Sequence, residues 1–213
     1  SCKTGKRFRS EIAARIGSCD AGFDHRNDGY FGVHRRRRPV FVVGCAIARQ
    51  LTRKQLRVAL VEACEDVAMG SSRANSSIVH AGYDAKPGSM MAKMNVLGNA
   101  LYDRWSKELE VPLHRIGSLV IAFGEEDERE LRHLYEQGLE NGVPGMEIVS
   151  GDRARELEPS LSKGVTAALY AKTGAITCPY QFTIASFENA VKNGLAAFMN
   201  APVTSIEPAG EGF

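Results

Sequence analysis

The residues best suited to chemistry begin around Gly44. In Val42-Val-Gly-Cys-Ala-Ile-Ala-Arg-Gln-Leu51 small side chains fall where a helix would press against a strand. The run Leu56-Arg-Val-Ala-Leu-Val-Glu62 that follows is rich in leucine and valine and closes on an acid, as a buried parallel strand would. Helix then strand, with small residues at the contact, is half of a βαβ unit. Such a unit holds a dinucleotide when three glycines form the turn before the helix and an acid about 20 residues on takes the ribose hydroxyls. With Gly44 as the third glycine, Pro39 and Phe41 stand in the other two places, and Glu62 lies 23 positions past Pro39. The second half of that fingerprint is present and the first is not. Read without it, Gly44 is a packing glycine and Glu62 a surface acid.

A second group follows in Gly70-Ser-Ser-Arg-Ala-Asn-Ser-Ser-Ile-Val-His-Ala-Gly-Tyr-Asp84. Ser71, Ser72, Asn75 and Ser76 could line a phosphate, or could simply satisfy the backbone of their own turns. His80, beside apolar Ile78 and Val79, is a candidate for proton transfer or an ordinary core histidine. The five cysteines are odd in number, scattered and never spaced C-x-x-C, so neither a disulfide framework nor a metal site is expected.

Several elements must position these groups. Leucines and methionines at spacings of three and four predict a helix from Lys86 to about Glu110, with Met91 and Met94 in the core. A strand is predicted over residues 117–123 and an amphipathic helix over Glu125–Asn141, ended by Asn141-Gly142. Asp152 is a candidate cap for a short helix through Leu157, and residues 164–171 read as another strand. A last helix starts at Pro179 with Ile184, Phe187 and Val191 inward and stops at Asn193-Gly194, before strand-like residues 195–206.

With 44% hydrophobic and 24% charged residues, the 213-residue chain has an ordinary globular composition. Its net charge of +2 is unevenly spread, because residues 1–41 carry ten Lys/Arg against four Asp/Glu. No apolar run reaches the ~20 residues that cross a bilayer, and a reducing cytoplasm is the expected compartment.

SSRANSSIVHAGYDAKPGSMMAK resembles the segment after the second strand in flavoenzymes of the D-amino-acid oxidase/glycerol-3-phosphate dehydrogenase superfamily. The nearest branch holds anaerobic glycerol-3-phosphate dehydrogenase large subunits and L-2-hydroxyglutarate oxidases. VVGCAIARQL, RIGSLVIAF, the long run ARELEPSLSKGVTAALYAKTGAITCPYQFTIASFENAVKNG and the closing VTSIE agree with it, over residues 42–213. The resemblance implies an α/β fold: an incomplete Rossmann-like FAD-binding domain, residues 42–84 and 174–213, interrupted by a partial α+β substrate domain, residues 85–173. It implies FAD as cofactor. Gly44 then matches the third glycine of the turn and Glu62 the ribose acid. Ser71, Ser72, Asn75 and Ser76 match the loop along the pyrophosphate, His80 a histidine near the isoalloxazine ring, and Val203 a strand residue whose backbone touches adenine.

The sequence departs from that pattern at Pro39 and Phe41, at the basic run before them, and at Ser77, where the family has glycine. The family is also about twice as long. Residues 1–41 are anomalous: out-of-frame arginine codons encode the small residues a strand and turn would need, so a shifted reading frame fits them. Two functional readings stand. One is a fragment of an FAD-dependent oxidoreductase that oxidises a small hydroxy compound, glycerol 3-phosphate or a 2-hydroxy acid, by hydride transfer to flavin. The other is a truncated, catalytically incompetent homologue that does not bind FAD. Nucleic-acid binding through Arg35–Arg38 lacks aromatics or a recognisable motif, and no specific nucleic-acid partner is expected.

Overall fold

The structure, a computed structural model, describes residues 42–208. The readings placed on residues 1–41, including Pro39, Phe41 and the arginine run, lie outside the described residues. The described residues divide into two compact units, residues 42–75 with 179–208, and Ser76–Cys178.

In the first unit, helix α1 (Val42–Thr52) leads to strand β1 (Ala59–Val61), and helix α5 (Pro179–Lys192) leads to strand β8 (Ala196–Phe198). The two strands pair in parallel, with Leu60 opposite Ala197 and Val61 opposite Phe198. Cys45, Ala48, Leu60, Val67, Ala190 and Leu195 form the core, with Val58, Ile184, Phe187 and Met199 packed on it. The small buried residues Cys45 and Ala48 on α1, and Thr183, Ser186 and Ala190 on α5, let the two helices approach closely. Ile47 and Leu51, four apart in the sequence, face outward at 54% and 40% exposure, and so does Val191 on α5. Of the three residues expected inward on α5, Ile184 and Phe187 pack on the core and Val191 does not, and small residues make the contact between the helices.

The second unit carries two antiparallel three-stranded sheets. Strands β4 (Ser118–Ala122), β5 (Met146–Ser150) and β6 (Ala167–Ala171) are ordered β4-β6-β5. Helix α3 (Glu125–Glu140) covers this sheet by burying Leu131 against Leu169, Ala122 and Ala167. Four acids fill the first turn of α3, where the helix dipole favours negative charge, and Gly142 turns the chain away at φ +78°. Helix α4 (Gly151–Leu157) is capped by Ser150, whose hydroxyl accepts from Arg153 N, so Asp152 is a first-turn residue and not the cap.

Strands β2 (Ile78–Val79), β3 (Leu113–His114) and β7 (Ala175–Thr177) form the other sheet, in the order β2-β7-β3. Helix α2 (Met90–Leu109) starts where Ser89 Oγ accepts from Ala92 N, four residues later than the periodicity predicted. It buries Ala92, Asn99, Ser106 and Leu109. Met91 and Met94, expected in the core, are 58% and 49% exposed; with Met90, Leu97 and Leu101 they form an outward apolar stripe.

Candidate functional site

In the first unit Gly44, Glu62 and Ser72 lie at the start of α1, just past the end of β1 and on a loop bonded to that helix start. Glu62 follows β1 directly, its backbone N–H donating to Phe198 O (2.8 Å) and its carbonyl accepting from Ala201 N (2.8 Å). Backbone hydrogen bonding between the two segments therefore continues past the ends of both strands, which puts the acid at their carboxyl ends. That is the place where open α/β sheets bind ligands. Its carboxylate is buried at 1% exposure, and Oε1 accepts from Cys64 N at 2.7 Å. Cys45, in the first turn of α1, feels it: burial first, and then the nearby Glu62 charge, push the thiol up to about 12. The acid and the beginning of the helix thus share one small region.

The hydroxyl loop meets the same helix. Ser71–Arg73 form a single 3-10 turn. Ser72 is buried, and its Oγ accepts from the backbone N–H of Val42 at 3.0 Å. This hydroxyl therefore satisfies one of the amides that a helix start leaves without an intrahelical partner. Asn75 Nδ2 donates to Ser71 O (2.9 Å) and Ser72 O (3.2 Å), so this side chain shapes the loop. Ser71 is exposed. Gly44, in the first turn of α1, is half-buried, and Val203, five residues beyond β8, is 62% exposed.

Two of the predicted residues belong to the second unit. Ser76 is exposed. His80 follows β2, and its side chain is exposed. Its backbone carbonyl accepts from Asn99 Nδ2 at 2.8 Å. Ser77, where the sequence departs from the family's glycine, sits at φ +62°, the left-handed region that glycine adopts without strain. Sequence reasoning passed over Asn99 and Arg115; a buried asparagine inside a helix is the only signal that marked either of them.

Residues 42–213 match the family described as DAO, FAD dependent oxidoreductase. The chain belongs to this family. Among curated DAO-family relatives, glycerol 3-phosphate dehydrogenase of Caloramator mitchellensis is 48% identical over 172 residues, covering 81% of this chain and 36% of that protein. Glycerol 3-phosphate oxidase of Mycoplasma genitalium is 32% identical over 169 residues, covering 78% of this chain and 44% of that one. Mitochondrial L-2-hydroxyglutarate dehydrogenase of Caenorhabditis elegans is 37% identical over 142 residues, 65% of this chain and 32% of that protein. Among solved structures, dithionite-reduced L-alpha-glycerophosphate oxidase of Mycoplasma pneumoniae with FAD bound superposes with a TM-score of 0.72 at 28% identity. The alignment covers 77% of this chain and 44% of that one. The chain thus spans well under half the length of these DAO-family proteins.

FAD is the family's cofactor, and the residues of the first unit fit its ribose end. A buried carboxylate at the carboxyl end of a parallel strand, beside the start of a helix, is an acceptor for vicinal hydroxyls. The turn that would face the phosphates lies outside the described residues. Among the described residues, no group of three or more His, Cys, Asp or Glu could hold a metal ion, and no helix is long and apolar enough to cross a membrane.

Proposed function

We propose that this chain is part of an FAD-dependent oxidoreductase acting on a small hydroxy compound, glycerol 3-phosphate or a 2-hydroxy acid. The observation that carries the reading is Glu62: a buried acid closing β1, backed by parallel β8 and close enough to Cys45 to raise its thiol. The substrates in the names of the curated relatives, glycerol 3-phosphate and L-2-hydroxyglutarate, support the substrate class.

In this reading the first unit holds the cofactor and the second contributes to the substrate side. The Glu62 carboxylate accepts the ribose hydroxyls, and the backbone near Val203 meets adenine. Gly44 lets α1 lie close to its neighbours. Ser71, Ser72 and Ser76 offer hydroxyls along the pyrophosphate, on a loop shaped by Asn75. When bound, FAD supplies the hydride acceptor; the protein's part is to hold, orient and polarise. His80 is the residue assigned to the flavin side, where an imidazole nitrogen takes up the proton of the substrate hydroxyl. The cysteines, odd in number, scattered and never spaced C-x-x-C, support a reducing compartment, the cytoplasm.

The test is uptake of FAD by the purified chain, followed by flavin fluorescence and by retention of yellow colour after gel filtration. Wild type is expected to retain FAD. Glu62→Gln, which loses a charged acceptor, is expected to bind about tenfold or more weakly, since charge-assisted hydrogen bonds contribute about 1.5–3 kcal/mol. A colourless chain that takes up no added FAD overturns the reading. It would favour a homologue that has lost its cofactor, the alternative to which Pro39 and Phe41 point in the sequence.

A further inference from the structure

Asn99 sits in the middle of α2, where asparagine is a poor helix former, and it is buried at 6% exposure. A buried amide is costly unless its hydrogen bonds are filled. Here both amide protons and the oxygen are used. Nδ2 donates to His80 O at 2.8 Å and to Thr173 O at 2.9 Å, and Oδ1 accepts from Arg115 Nη1 at 2.7 Å. The partners fix which atom is which, because carbonyls only accept and a guanidinium only donates.

Arg115 is itself held by a fork on Asp103, with Nε to Oδ1 at 3.1 Å and Nη2 to Oδ2 at 2.8 Å. It also donates through Nη2 to Asn99 O at 2.8 Å. Asn99 and Asp103 are one helical turn apart on α2, so a single guanidinium spans both. The Thr173 turn is packed tightly too. A Cβ on Gly174 would come within 2.8 Å of backbone atoms of Gly117 and Ser118, and Gly117 N donates to Gly174 O at 2.9 Å.

The place where this network acts is specific. Strands β2 and β7 pair only through Ile78 with Ile176 and Val79 with Ala175. His80 comes just after that short ladder on one strand, and Thr173 just before it on the other. One amide therefore ties the two carbonyls that flank the end of the ladder. Among the described residues the His80 imidazole makes no hydrogen bond, so its position follows from its main chain, which Asn99 ties to Thr173 beyond the end of the ladder.

We propose that Asn99, locked by Arg115 and Asp103, is the positioning residue for His80. The proposal rests on the assignment of His80 to the flavin side. It needs no chemistry from Asn99, which acts only through the histidine it places.

The experiment uses the full chain with isotope-labelled histidines and reads their imidazole resonances, assigning His80 by its disappearance in His80→Gln. Asn99→Asp keeps an oxygen facing Arg115 but turns a donor to two carbonyls into an acceptor. In that variant the His80 signals are expected to shift and broaden, while those of His133 on α3 in the same unit stay in place. His80 signals that superimpose on wild type overturn the proposal. Should Asn99→Asp not fold, Arg115→Lys, which loses the fork, is read in the same way, with the same two outcomes.

FAD affinity supplies the second arm. Asn99→Asp is expected to weaken binding in the wild-type background and to add nothing in the His80→Gln background, because residues acting through one another are not additive. Effects that multiply across the two backgrounds assign Asn99 a structural role only and overturn the proposal. If wild type takes up no FAD, the functional reading fails, and the histidine spectra alone decide the positioning.

Discussion

Ser72 separates a structural part from a ligand part within one loop. Its hydroxyl accepts the Val42 N–H at 3.0 Å and is buried, whereas the neighbouring Ser71 side chain is exposed. Removing a side-chain cap costs about 0.5–2 kcal/mol, typically about 1. The Ser72 position is 5% exposed, so water cannot readily replace the lost oxygen. That places Ser72→Ala in the upper half of the range, about 1–2 kcal/mol. At 1.4 kcal/mol per factor of ten, the Val42 amide should open and exchange roughly five to thirty times faster. Hydrogen exchange resolved at Val42, with urea denaturation of the whole chain, measures both quantities. Ser71→Ala is the control and should leave each within about 0.5 kcal/mol of wild type. If the two alanine variants exchange Val42 equally fast, Ser72 does not cap α1, and the link between the hydroxyl loop and the helix start is wrong.

Two further outcomes are expected. Ser77→Gly relieves a left-handed residue, φ +62°; a strain of about 1–2 kcal/mol, less the extra chain entropy of glycine of about 0.5–1 kcal/mol, leaves roughly 0.5–1 kcal/mol of stabilisation, read as a higher urea midpoint. The Cys45 thiol keeps its proton in the folded state up to about 12, against an ordinary value of 9.0. The folded chain binds that proton more tightly than the unfolded one, so the stabilisation is complete below pH 9 and is lost as pH rises toward 12. Alkylation of Cys45 at pH 9 should accordingly be far slower than that of a free thiol, and Glu62→Gln should lower the thiol only partly, since burial is the larger cause. Equal alkylation rates for Cys45 and a model thiol would show that the burial is wrong.

Much of this fold was legible because strong local signals agreed with tertiary demand. Glu125–Glu140, Ser118–Ala122 and Pro179–Lys192 fall within a few residues of their predicted limits. Acids at a first turn, an Asn-Gly stop and an initial proline act through the nearest backbone and need no partner elsewhere. Four strands were not legible: β2, β3 and β7 are too short for a period, and β5 alternates weakly. The face a helix buries was also out of reach. Met91 and Met94 have the spacing of a core stripe, and only the packed structure shows that the buried side carries Ala92 and Asn99 instead. At the candidate site, Glu62 was singled out through chain spacing, because the βαβ geometry fixes that distance. Asn99 and Arg115 were missed because their partners lie 12 to 74 positions away in the chain.

The outward stripe on α2 also fixes where oxidation would strike. Three of the six methionines, Met90, Met91 and Met94, stand exposed within five residues of one helix. Sulfoxide formation there would turn a greasy ribbon polar and add up to three oxygens to one peptide, a mass signature that is easily read. Met146, packed beside Tyr83 against Val143 and Ala171, would be reached later. The order in which peroxide marks these thioethers is therefore a map of which side of the helix the folded protein leaves to solvent.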